Sequence, residues 1–153
     1  MGLSLLRGTV RPDPYADEER HHFMYALLPH SGTPEEAGIP EAAWEFNAPP
    51  RVFHGTGELS SRFSISNPNV HLQALKRPEN AGDDGLIVRL AETHGKRGRA
   101  VIQAAWPIIS AKLTNMLEDE LPVQTGFSLV ENKLQFDYMP FEILTFKLKF
   151  RKM

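Results

Sequence analysis

Three of the six histidines fall within Glu19-Arg-His-His-Phe-Met-Tyr-Ala-Leu-Leu-Pro-His-Ser-Gly32, just after a run of acids. Imidazoles beside carboxylates are zinc-ligand chemistry, so spacing has to decide. Residues 23–28 are short, apolar and aromatic, which predicts a buried strand. Strand side chains alternate faces, so His21 and His22 point apart. His22 and His30 share a face but sit roughly 26 Å apart along it. A zinc ion needs its ligands at ~2 Å from one point. The spacing therefore reads as histidines marking the ends of a strand that Pro29 and Gly32 close.

Other constellations meet similar tests. Glu79-Asn-Ala-Gly-Asp-Asp-Gly85 invites a calcium loop. With Gly85 at the sixth position of an EF-hand, the third would be Gly82 and the twelfth Ala91, neither of them a side-chain ligand. An acidic hairpin turn fits better. Gly95-Lys-Arg-Gly98 lacks the rest of a phosphate-binding loop and reads as a tight turn. The acids Asp13, Asp17, Glu18, Glu19, Asp83, Asp84, Glu118, Asp119 and Glu120 lie mostly in turns, with no nucleophile or zinc-protease motif beside them. Trp44 and Trp106 are candidate carbohydrate-binding residues, able to stack on a sugar ring, or else core or rim tryptophans. Lys147, Lys149 and Arg151 could follow a nucleic-acid backbone, but a solvated strand face explains them more simply.

The chain has 153 residues, 41% hydrophobic and 24% charged, the composition of one ordinary globular domain. A formal net charge of −2 gives no field for nucleic acid or an anionic membrane. Cysteine is absent, which excludes disulfides and thiolate metal sites. No apolar run reaches membrane-spanning length, and the N-terminus is charged too soon for a signal peptide, so a cytoplasmic location is expected. Leu6 breaks the myristoylation pattern that Met1-Gly2 opens.

A strand is expected over 3–10, then a polar loop, then the strand over 23–28. Thr33-Pro-Glu-Glu36 has the form of a capping box. Pro40 allows either two short turns or a helix through Phe46, ended by Asn47-Ala-Pro-Pro50. Beyond residue 50 the pattern predicts strands at 51–54, 62–66, 69–76, 85–93, 99–106, 110–117, 127–130, 133–137 and 141–150. Glu131-Asn132 reads as a two-residue hairpin loop. Residues 110–120 fit helix and strand about equally. In the last strand Leu144, Phe146, Leu148 and Phe150 form an apolar face, and Ile143, Thr145, Lys147 and Lys149 a solvated one. The fold class is all-β, an antiparallel β-sandwich with one short helical excursion near 34–46.

Seven stretches, in order along the chain, carry a resemblance. They are Leu3-Ser-Leu-Leu-Arg7 with Pro12-Asp-Pro14 and Ala16-Asp17; His22-Phe-x-Tyr-x-Leu-x-Pro-His30; Ala37-Gly-Ile with Glu41-Ala-Ala and Phe46-Asn-x-Pro49; Asn69-Val70 with Ala74-Leu-Lys76 and Glu79; Asp84-Gly-Leu-Ile-Val-Arg-Leu90 with Glu92 and Gly95; Ala111 with Thr114-Asn-x-Leu-Glu118; and Pro140-Phe-Glu-Ile-x-Thr-Phe-Lys-Leu148. Together they resemble the C-terminal β-sandwich region of the family 38 glycoside hydrolases, the α-mannosidases. The resemblance implies a sandwich of the galactose-mutarotase-like, supersandwich type spanning 1–153 as one domain, with residues 110–120 in β structure. Family members are far longer, zinc-dependent retaining enzymes whose nucleophile and zinc ligands lie in an N-terminal domain. The Gly-His-Ser-His-Ile-Asp-like zinc run has no counterpart in these 153 residues. No catalytic or metal residue is therefore carried onto this chain, and zinc is expected only in a separate catalytic domain.

Three functions stay open at this level. One is a non-catalytic domain that braces a catalytic domain or subunit, with mannose-containing glycans as further ligands. Another is an independent carbohydrate-binding module. The last is a small hydrolase using two carboxyl groups ~5–9.5 Å apart.

Overall fold

A computed structural model describes residues 2–6, 8, 11–57, 60–80, 82 and 84–151. It divides into two units, Met1–Gly32 and Thr33–Met153.

In the first unit the described residues form neither helix nor strand. Local bonds hold it: Asp13 Oδ1 accepts from the Tyr15 amide at 2.9 Å, and His21 stacks on Phe23. The strands expected over 3–10 and 23–28 are absent from its described residues, with 7, 9 and 10 outside them. Met24, Tyr25, Leu27 and Leu28 are exposed. An extended segment becomes a strand only when a neighbour takes up its N–H and C=O groups. This unit supplies no such neighbour among its described residues.

Among the described residues, eight strands lie in the second unit: β1 (Phe63–Ile65), β2 (Val70–Lys76), β3 (Leu86–Glu92), β4 (Gly98–Ala104), β5 (Ile108–Thr114), β6 (Phe127–Val130), β7 (Lys133–Tyr138) and β8 (Ile143–Phe150). They make two antiparallel four-stranded sheets, β1-β4-β7-β6 and β2-β3-β8-β5. The expected all-β sandwich is the observed architecture. One helix, α1 (Ile39–Asn47), precedes it, with proline in its first turn as expected. The Thr33–Glu36 capping box forms reciprocally but closes a turn ahead of α1. Residues 51–54 are not a strand, and Val52 and Phe53 are exposed.

Between the sheets lie Val88, Leu90, Ile102, Leu134, Phe136, Phe146 and Leu148, all essentially without solvent contact. Phe146 meets Phe127 and Phe136 at ring-centroid distances of 5.3 and 5.6 Å. The Glu131-Asn132 loop has positive φ at both residues, 49° and 63°, the two-residue hairpin turn that matches strand twist. Gly85, at φ 118°, lies so close to the Leu148 carbonyl that a Cβ would collide with it. That approach explains a glycine where the acidic turn enters β3.

Two further expectations differ from the structure. The segment 110–120 is strand only to Thr114. Asn115 Oδ1 then accepts from the amides of Leu117 (2.8 Å) and Asp119 (3.0 Å), turning the chain. The supposed solvated face of the last strand is buried at Thr145 and Lys147 and open only at Ile143 and Lys149. β8 is a central strand. The connection after β5 folds across this side of its sheet, where Arg89 Nη2 donates to the Met116 carbonyl and Lys76 pairs with Glu118 at 2.6 Å.

Candidate functional site

The clearest convergence of titratable groups joins α1 to the β2–β3 pair. Val70 and Leu72 pack toward the core, so alternation turns His71 to the outer face. His94 lies just past β3. Its position is set by Glu92, which is only 4% exposed. Glu92 Oε1 accepts from the amides of His94 (2.9 Å) and Lys96 (3.0 Å), and Oε2 from those of Gly95 (2.9 Å) and Phe141 (2.8 Å). Burial pushes this carboxyl up, but the four amides outweigh burial and hold it below the ordinary glutamate value.

α1 lays Glu41 against both imidazoles. Glu41 Oε1 is 3.2 Å from His71 Nε2 and 3.4 Å from His94 Nε2. Thr93 Oγ1 lies 3.1 Å from His94 Nδ1. The Thr93 hydroxyl also reaches the Asn69 carbonyl at 3.5 Å, which ties this turn to the residue just before β2. Glu41 Oε2 is buried with no partner among the described residues. Burial raises the Glu41 carboxyl, but its own backbone amide, the His71 bond and the two imidazole charges leave it below the ordinary value.

Two imidazoles and a carboxylate are zinc-ligand types, and their placement is the test. Two rings sharing a tetrahedral zinc with ~2.0 Å bonds would have centroids about 5 Å apart. Here they stand 6.3 Å apart. No group of three or more His, Asp or Glu among the described residues is placed to hold a metal ion. The cluster fits a hydrogen-bonded clasp between helix and sheet. Removing it by Glu41→Ala will speed amide exchange across α1 about fivefold, the equivalent of ~1 kcal/mol, and leave exchange in β3 and β8 unchanged. Unchanged exchange in α1 would sink the clasp.

The residues singled out in the sequence fall elsewhere. Trp44 is on α1 and 38% exposed. Trp106, in the β4–β5 turn, is half-buried, meets Phe150 edge-on, and carries the Arg62 guanidinium over its ring at 5.6 Å. They sit on different elements and share no ring contact. His21, His22 and His30 are in the first unit, where His21 Nε2 bonds the Asp17 carbonyl at 2.9 Å. In the acidic turn, residues 81 and 83 lie outside the described residues. The Glu41–His71–His94 cluster escaped the sequence reading. Its members are 30 and 23 positions apart, and only strand pairing and the seat of α1 join them. The outward alternation of His71 in β2 was the one legible signal.

Comparison with known proteins bears on this domain as a whole. Residues 69–146 match the family model for the glycosyl hydrolases family 38 C-terminal β-sandwich domain. Mouse α-mannosidase 2C1 is 37% identical over 94% of this chain, a match that takes in 14% of the mouse protein. Human α-mannosidase 2C1 is 35% identical over 97% of this chain and 15% of its own length. The yeast α-mannosidase is 26% identical over 98% of the chain. The chain thus spans about one-seventh of the length of these curated relatives. No helix among its described residues is long and apolar enough to cross a membrane. On the match over more than half its length, the chain belongs to the glycosyl hydrolases family 38 C-terminal β-sandwich domain family.

Proposed function

We propose that this chain is the non-catalytic C-terminal part of an α-mannosidase-like glycoside hydrolase in the cytoplasm. It braces a catalytic domain or subunit that holds the zinc and the nucleophile. The observation that carries this reading is the coverage. Nearly all of the chain matches the relatives, yet it accounts for only 14–15% of their length. Exposed apolar side chains support it. Trp44, Phe46, Val52 and Phe53, on and just after α1, and Phe141 just before β8 with Ile143 at its start, suit packing against a further domain. An independent sugar-binding module built on the tryptophans has less support, since Arg62 already lies over Trp106.

The test is hydrolysis of an aryl α-mannoside by the purified chain with zinc present. The expected result is no turnover above buffer. Turnover comparable to a full-length α-mannosidase would overturn the reading.

A further inference from the structure

The outer face of the β1-β4-β7-β6 sheet carries a groove of about 340 Å³, lined by Ser64, Ser66, Val101, Gln103, Val130, Glu131, Lys133 and Gln135. That volume falls within the ~300–1,000 Å³ of small-molecule sites. A second hollow of about 210 Å³ adjoins it through Gln135, bordered by Arg99, Ser128 and Asp137. The strand register builds this track. Gln103 faces Ser64, Gln135 faces both Val101 and Ser128, and Asp137 faces Arg99. From Lys133 to Asp137 it runs ~13 Å along β7.

Three features set it apart from an ordinary wet sheet face. Gln135 is held in place: with its amide oxygen turned to Arg99 it accepts from Nη1 at 3.0 Å, and Arg99 is itself fixed by Asp137 at 2.7 Å. Its NH₂ then remains as a donor. The side chains of Ser64, Gln103, Glu131 and Lys133 have no hydrogen-bond or ion-pair partner among the described residues, so their polar groups are available to a ligand. Glu131 occupies a left-handed backbone position, φ 49°, where a hairpin turn favours Asn, Asp or Gly, and this places a carboxylate at the groove.

The chemistry of the lining selects the ligand. Amides and hydroxyls both donate and accept, as sugar hydroxyls do, and Val101 and Val130 add apolar lining for the C–H face of a ring. Lys133 and Arg99 are balanced by Glu131 and Asp137, so the track has no net charge to draw a phosphate or polyanion. We propose that this face is a binding site for a neutral oligosaccharide containing α-linked mannose. The choice of mannose rests on the function proposed above; the site itself rests on the groove.

The experiment is an amide NMR titration of the whole chain with mannose, α-linked mannobiose and, as a comparison, maltose. The expected result is saturable shifts from mannobiose at residues 99–103 and 128–137, in the millimolar range. Gln135→Ala should weaken them about tenfold, the loss of one or two hydrogen bonds, without disturbing amides elsewhere. Gln103→Ala serves as a second variant if the first disturbs the fold. No shifts, or shifts centred on Trp44 or Trp106, would overturn the site. Maltose binding in the groove while mannobiose fails would overturn the ligand class. The hydrolysis assay is independent of all these outcomes, so the site and the proposed function can fail separately.

Discussion

Phe146→Ala will destabilise the sandwich by about 3–5 kcal/mol, the range for deleting a buried phenyl ring. Phe146 is 1% exposed and lies on β8, between β3 and β5. Its ring touches Phe127 and Phe136 of the opposite sheet. Removal takes one ring from a three-ring contact and leaves a void that the sheets, pinned by their ladders, can close only in part. In urea the unfolding midpoint should fall with the slope unchanged. A loss below about 1 kcal/mol would mean that the two sheets do not close over this ring.

Glu92→Gln should lower stability by about 3 kcal/mol at neutral pH, although it keeps the size of the side chain. Each carboxylate oxygen accepts two backbone amides. Glutamine keeps one oxygen and turns an NH₂ donor toward the other pair of N–H groups. Two buried donors lose their acceptor, and the turn carrying His94 loses its anchor. The pH dependence has a fixed sign. The Glu92 carboxyl is held below its unfolded value of 4.5, so its contribution is complete above that pH and fades as pH falls through the folded value. Wild-type stability should decline below about pH 4.5, and the variant's decline should be shallower. Equal pH slopes in urea unfolding of the two proteins would count against the four-amide cradle.

From residue 62 onward most strands were legible because alternation, turn residues and spacing agreed; β5 was the exception, since the pattern over 110–120 fitted helix and strand equally. The hairpin 127–138 shows this best: two short alternating runs and a two-residue loop define register and turn together. Residues 23–28 and 51–54 have strand-like composition but form no strand, because β propensity is conditional on a partner. The last strand begins at Ile143 rather than 141, since Phe141 takes a left-handed backbone angle of φ 56° that ends pairing. Period two separated its faces correctly. It could not show that a loop 25 to 30 residues upstream would cover Thr145 and Lys147. The Glu41–His71–His94 clasp was illegible for the same reason: tertiary placement makes it. The sheet-face groove has weak sequence signal as well, because Ser64, Gln103 and Gln135 look like ordinary outward residues until the strand order puts them side by side.

The proposed role is that of one part of an α-mannosidase. The most direct test is to graft it into mouse α-mannosidase 2C1 in place of the stretch it matches, and to measure hydrolysis of an aryl α-mannoside. A parallel variant should have that stretch deleted. The account predicts that the graft retains activity and the deletion loses it. A chimera that expresses and folds, yet is as inactive as the deletion, would contradict it.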